Sequence, residues 1–445
     1  MKKNWIQVRD LVASDFPACV RPFYVNAKSA IDPNIGIKMA IVATVCYGAL
    51  SPRLRVKYYY NYFISMILLN VLVITPTGKG KTIVRFIVNM LMKLLFDFDR
   101  KEREILSAWK KENKRKAANA RKDAEPNVAI RHLQKFTLPI AVKYADMIRL
   151  KYGEILPFFV SADELGSVTE NKRATREFAS VARTAYNMGE EYVRDTLYDG
   201  GYNGNVDICW NSVLCGQPDS VAQYITREGV RLGDASRQIL IIMGDEVGSE
   251  PPRLKQPFTQ EQMQTIDDTI HRLWRNTFID DHLQPTHEVD MSWLDKDVVD
   301  WCNQQREIID KSPSKAHDSF YGRASESAFR LATILYYLWG EDKTKQKKVR
   351  KCYYFFAQFI LNGIMRQWGK QYEAGEPKDE EETLGRPTLY DSLPKRFTRK
   401  MVGEKAKELG INCAPRKSIY KWKTQRHWIV EVEGESEETF EKVYE

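Results

Sequence analysis

The sequence predicts an α/β protein built on a parallel sheet with helices on both faces, and three observations lead there. Short β-like runs (LLNVLVI, PFFVSA, VDICWNSVLC, ASRQILIIM) alternate with helix-like ones from Ile67 to about Gly244. The first of these runs ends in a Gly/Lys-rich turn and resumes as a helix-compatible pattern. Longer helical patterns flank the alternating region on both sides.

The segments follow in order. Residues 1–60 read as a helical N-terminal region, in which IGIKMAIVATVCYGAL is apolar enough to be buried and stops at Ser51-Pro52. Residues 61–250 form the α/β core, interrupted at about 98–125 by a charged stretch, DRKEREILSAWKKENKRKAANARKDAEP. That stretch reads as an exposed helical extension or hairpin, a solvated face with lysines able to touch a nucleic-acid backbone. Residues 251–371 turn helical through TQEQMQTIDDTIHRLW, SESAFRLATILYYLW and KVRKCYYFFAQFILNGIMRQW, the last two expected to pack on each other. An acidic Gly/Pro-containing linker occupies 372–386.

Composition sets bounds. A chain of 445 residues, 43% hydrophobic and 29% charged, suits a folded protein of two or three domains. The 68 basic and 59 acidic side chains leave +9, which permits a polyanionic partner without requiring one. Seven cysteines (Cys19, Cys46, Cys209, Cys215, Cys302, Cys352, Cys413) form no C-x-x-C pair, so free buried thiols in a reducing cytoplasm are expected and a structural zinc is not. The N-terminus MKKNWIQVRDLV lacks an apolar core and cleavage site. Phe63 to Ile74 falls short of the ~20 apolar residues a membrane span needs. A soluble, cytoplasmic protein with no membrane partner is the expectation.

The turn carries chemistry. In VLVITPTGKGKTIVRF a buried strand, Leu68 to Ile74, delivers the chain to Thr77, Gly78, Lys79 and Gly80, whose backbone N–H groups can surround a phosphate. The next helix directs its positive end to the same anion. Lys81 and Thr82 fall where a P-loop places the lysine on the β/γ-phosphates and the hydroxyl on Mg²⁺. Gly80 allows close backbone approach. The pattern G-x-x-x-x-G-K-[ST] asks for glycine where this chain has Thr75, and a surface turn can also spell GKGKT. A nucleotide site therefore needs a second element, an acid on the metal. ILPFFVSADELGSV supplies it: Asp163 is placed to hold Mg²⁺ through water and Glu164 to polarise the attacking water. In VDICWNSVLCGQPDSVAQYI, Gln217 sits at the carboxyl end of a central strand, as a sensor of the γ-phosphate or a plain turn glutamine.

The tail, 387–445, reads as three helices (TLYDSLP, FTRKMVGEKAKELGI, APRKSIYKWKTQRH) and a β-ribbon. That is the order of a winged helix-turn-helix. Its third helix carries Arg416, Lys417, Lys421, Lys423 and Arg426 as candidate DNA contacts, with Tyr420 and Trp422 interleaved and Lys395, Arg396, Arg399 and Lys400 before them. The ribbon is acidic from Glu431 to Glu441, so DNA contact would be confined to one face, and such modules also dock proteins.

The order TPTGKGKT, charged insertion, FFVSADE, VLCGQPDSV, GVRLGDASRQILI and ESAFRLATILYYLW resembles the helicase-like P-loop ATPases of phages and bacterial mobile elements, over roughly residues 15–370. That family, found beside primase-helicases, is similar to superfamily 3 and RecA-like hexameric motors. The resemblance implies a RecA/AAA+-like P-loop NTPase core with ATP and Mg²⁺ as cofactors. It also implies a hexameric ring translocating on DNA, with replication or transposition proteins as further partners. Arg237 then stands where such rings put an arginine reaching the neighbouring subunit's γ-phosphate, with Arg231 as competitor and a surface strand arginine as the plainer reading.

Overall fold

The computed structural model describes residues 10–30, 32–59, 64–116, 124–168, 172–186, 191–194, 204–244, 251–254, 258–374, 389–390, 392–408, 414–420, 422–423, 429–432 and 438–442. The chain divides into two compact units, 1–373 and 374–445.

In the first unit, helix α1 (Ile35–Ala49) is buried along almost its whole length because it is apolar on every side. An added Cβ on its Gly48 would come 2.5 Å from Ile334 Cδ1, so glycine there sets how closely the helix Lys315–Leu338 approaches. Leu54–Lys57, read as part of a helical region, is instead a strand paired with Ile64–Met66 and His287–Val289. The alternation of buried Leu54 and Val56 with less buried Arg55 and Lys57 is strand periodicity over a window too short to register.

Strand β1 (Asn70–Ile74) is buried at every residue. Helix α2 (Lys81–Leu91) follows it, burying Ile83, Val84, Ile87, Val88 and Leu91 at helical spacing while Thr82, Arg85 and Asn89 stay exposed. Helix α3 (Lys93–Arg115) is the charged stretch. It is no free extension, because Leu95, Asp99, Glu102 and Leu106 form a buried face. Asp99 accepts the backbone N–H groups of Arg131 (3.0 Å) and His132 (2.6 Å), and Glu102 accepts that of Ala129 (2.6 Å). The helix thus supplies hydrogen-bond partners to the chain entering strand β2 (His132–Leu133).

Helix α4 (Leu138–Tyr152), strand β3 (Phe158–Ala162), helix α5 (Lys172–Ala185), strand β4 (Trp210–Gly216), helices α6 (Pro218–Tyr224) and α7 (Arg227–Leu232) and strand β5 (Gln238–Ile242) complete the core. The five strands are all parallel, in the order β5-β1-β4-β3-β2. Ile74 at the end of β1 is level with Ile242 and Gly216, so three strands end side by side where the Gly/Lys turn begins. Parallel order with helical crossovers is what the alternating runs predict, although β2 is too short to be visible in them.

Helices α8 (Gln260–Arg275), α9 (Asp295–Lys311), α10 (Lys315–Leu338) and α11 (Gln346–Ile364) form the remainder. Thr259 and Gln262 cap α8 reciprocally. The expected packing of α10 against α11 is observed. Arg330 on α10 is buried, pairs with Glu326 at 2.6 Å and donates to the Leu68 carbonyl at 2.7 Å just before β1. Cys19, Cys46, Cys209, Cys215, Cys302 and Cys352 are buried free thiols, and Cys413 lies outside the described residues. Among the described residues, no helix is long and apolar enough to cross a membrane.

The second unit holds strand β6 (Arg396–Thr398), helices α12 (Arg399–Glu408) and α13 (Pro415–Tyr420) and strands β7 (Ile429–Glu431) and β8 (Thr439–Lys442). Its antiparallel sheet runs β6-β8-β7. Two readings are corrected here. The described residues of TLYDSLP form turns, not a helix, and Arg396–Thr398 pairs with β8 as a third strand. Trp422, read as interleaved among the DNA-facing lysines, is a core residue against Phe397 and Tyr390, its apolar ring outweighing the basic neighbours.

Candidate functional site

The turn after β1 is held by its own side chains. Thr75, where the phosphate-loop pattern has glycine, is fully buried, and its hydroxyl donates to the Lys79 carbonyl at 3.0 Å, tying the two ends of the turn. Its N–H donates to the Gly216 carbonyl at 3.0 Å. The threonine therefore closes the turn rather than obstructing it. Thr77 and Gly78 are exposed at the tip, and Lys79 is half-buried. Gly78 (φ +74°) and Gly80 (φ +113°) take left-handed backbone, and a Cβ on Gly80 would come 2.8 Å from Pro252 Cδ. Lys81 begins α2 directly after Gly80.

Across the ends of three strands the expected residues meet. Lys81 Nζ donates to Glu164 Oε2. Ser220 Oγ on α6 donates to the other carboxylate oxygen at 3.4 Å. Gln217, the N-cap position of α6 at the end of β4, is near enough for its backbone and side chain to help lower the Glu164 pKa. Burial acts to raise the Glu164 pKa, but the Lys81 hydrogen bond and charge, with the Gln217 donors, hold it below the ordinary carboxylate value. Glu164 is thus an ionised acceptor held by Lys81 at the start of α2 and Ser220 on α6.

Asp163, exposed beside it, pairs with Arg85 Nε at 3.3 Å. Arg85 and Ser220 were not singled out in the sequence. Arg85 lies four residues past Lys81, on the same helix face, a spacing that could have identified it. Ser220 had no such signal. Among the described residues, no cluster of three or more His, Cys, Asp or Glu side chains forms a self-contained metal site. Hydroxyl and carboxylate oxygens at Thr82 and Asp163 still fit Mg²⁺, which takes one or two protein oxygens and completes its shell with phosphate and water.

Arg237 is not brought to this place. It precedes Gln238, level with Asn70, at the opposite edge of the sheet from Ile74. Its Nη1 donates to the Gly233 carbonyl at 2.9 Å, and its Nε is buried with no hydrogen-bond partner among the described residues. Burial lowers its pKa, and Arg323 and Arg183 add to the effect. This placement excludes a role at its own chain's loop and leaves both the structural reading and one toward a neighbouring subunit. The competitor Arg231 is exposed in the last turn of α7.

In the second unit Arg416 is exposed beside a cavity of about 570 Å³ shared with Arg399 and Lys400. The acidic ribbon answers several cations: Arg399 pairs with Glu438, Lys423 with Glu431, and Arg396 with Glu441 at 3.0 Å. Lys417 lies on α13, while Lys421 and Arg426 lie outside the described residues. No protein-family model matches this chain, and no curated protein matches it in sequence.

Proposed function

We propose that the chain is an ATP-dependent motor that translocates on DNA, a helicase-like ATPase serving replication or mobilisation of a phage or mobile element. One observation carries the reading: Lys81 reaches Glu164 across the ends of three adjacent parallel strands, beside a left-handed glycine turn that opens a helix. Open α/β sheets bind ligands at that edge.

The incoming triphosphate takes the loop amides and the α2 N-terminus. Lys81 leaves Glu164 for the β/γ-phosphates. Glu164, ionised and still held by Ser220, then accepts a hydrogen bond from the attacking water and orients it. Mg²⁺, held by Thr82 and Asp163, would neutralise developing phosphate charge. Arg237 would serve the site of the next subunit in a ring, for which a hexamer is proposed, and the tail would hold duplex DNA through Arg416 and its basic neighbours.

The test is ATP turnover with and without single-stranded and duplex DNA, together with the mass of the assembly in nucleotide. DNA stimulation and a ring mass support the motor. A second reading is favoured by the ion pairs that Glu431, Glu438 and Glu441 make with tail cations. In it the protein is a regulatory ATPase, recruiting a transposase, recombinase or initiator through that face. A forked duplex that is never unwound, with turnover intact, selects this reading; nucleotide bound without turnover selects an adaptor.

A further inference from the structure

A cavity of about 680 Å³ lies between α2 and α3, over the carboxyl halves of β2, β3 and β4. None of the loop residues 75–82 lines it. Its buried floor is apolar, from Val84, Val88, Val213 and Cys215. Phe96 lines it too, its ring centroid 4.3 Å from that of His132 at an interplanar angle of 32°. The exposed rim is cationic, from Arg85, Arg100, Arg103 and Lys135.

These four cations share the cavity with two carboxylates, Asp99 and Asp163. Asp99 is engaged by the backbone N–H groups of Arg131 and His132, and Asp163 by Arg85. Arg100 also pairs with Asp97 at 3.0 Å, outside the lining, and Arg103 donates to the His132 carbonyl at 2.9 Å, so against three carboxylates the four cations leave a surplus of one positive charge. His132 adds no charge near neutrality, because burial pushes its pKa down to about 4. Its Nε2 is 2.8 Å from Ser161 Oγ, a neutral polar pair that also lines the cavity. An apolar floor with an aromatic pair under a cationic rim fits a ligand with one flat ring and one anionic end. The volume falls within the range of small-molecule sites.

We propose that this cavity is a second binding site, for a nucleoside phosphate, separate from the phosphate loop. Its base would lie on the floor beside Phe96, and its phosphate would meet Arg100, Arg103 and Lys135. The assignment uses neither Lys81 nor Glu164, and of the residues assigned to the loop site only Asp163 also lines the cavity.

The test is equilibrium titration of the full chain with ADP, reading the number of equivalents bound. Two are expected. Lys81→Ala should leave one. Adding Arg100→Ala and Lys135→Ala, both exposed, should weaken that one about ten-fold or more, as loss of charged hydrogen bonds does. Arg103→Ala alone should act in the same direction. A single equivalent that is lost with Lys81→Ala and unaffected by the rim substitutions overturns the second site and leaves the loop site intact. A single equivalent weakened by both sets of changes makes the cavity part of the loop site and also overturns the proposal. Two equivalents that ignore Lys81→Ala, one of them weakened by the rim changes, uphold the cavity and remove the loop assignment instead.

Discussion

Lys81 Nζ is in ion-pair contact with Glu164 Oε2, joining the turn after β1 to the end of β3 across the end of β4. The lysine proposed to bind phosphate here neutralises the carboxylate proposed to orient water. Glu164→Gln keeps a hydrogen-bond acceptor for Lys81 and removes the charge. Such a chain is expected to bind ATP and to hydrolyse it about a hundred-fold more slowly or worse. A normal rate reassigns the base.

His132 links the cavity to acid stability. Burial, then the Arg103 charge, pushes its pKa from 6.5 down to about 4, so the unfolded chain takes up a proton that the folded one refuses. Its contribution is complete above 6.5 and is lost as pH falls toward 4. Asp99, raised from 3.8 to about 6 by burial, works the other way, its contribution being lost as pH rises through that interval. His132→Phe should therefore lose less stability than the wild type on going from pH 6.5 to 4, by roughly 2–3 kcal/mol. Urea midpoints across that interval check this, and parallel curves contradict it.

Arg330 is a test of the scaffold. It is buried against Glu326 and bridges α10 to the Leu68 carbonyl, with its guanidinium 4.1 Å from the Tyr186 ring centroid. Arg330→Met strands part of the Glu326 charge and should cost about 3–5 kcal/mol in urea unfolding. A loss under about 1 kcal/mol would mean that Arg323, which also pairs with Glu326 at 2.7 Å, carries the carboxylate alone.

The tail can be tested by charge. Ending the chain at about residue 386 should weaken duplex DNA binding and flatten its salt dependence. Glu431→Gln with Glu438→Gln releases Lys423 and Arg399 and should do the opposite, tightening binding and steepening the salt slope. Filter binding across a salt series reads both. Affinity and slope unmoved by either change make the tail a protein-docking module.

The core strands and the Lys81, Asp163 and Glu164 placements were legible because each depends on a few consecutive residues: an apolar run, then a turn or an acid. What was hidden depends on partners far along the chain. His132–Leu133 is two residues long and is defined by pairing with β3 and by Asp99 on α3. Phe397 is a strand residue because Phe440 lies opposite it, which no local pattern near 397 encodes. Trp422 sits between two lysines, and only the fold decides that its ring turns to the core. Thr75 looked like a defect in the motif, whereas its hydroxyl supplies the closure of the turn.

The most direct measurement is phosphate release from ATP, with magnesium, by the wild type and by Lys81→Ala, after circular dichroism has shown both folded. Magnesium-dependent release by the wild type, reduced about a hundred-fold or more in the variant, is the expected result. Equal rates in the two chains, or none above background in the wild type, would contradict the convergence of Lys81, Asp163 and Glu164 on one triphosphate.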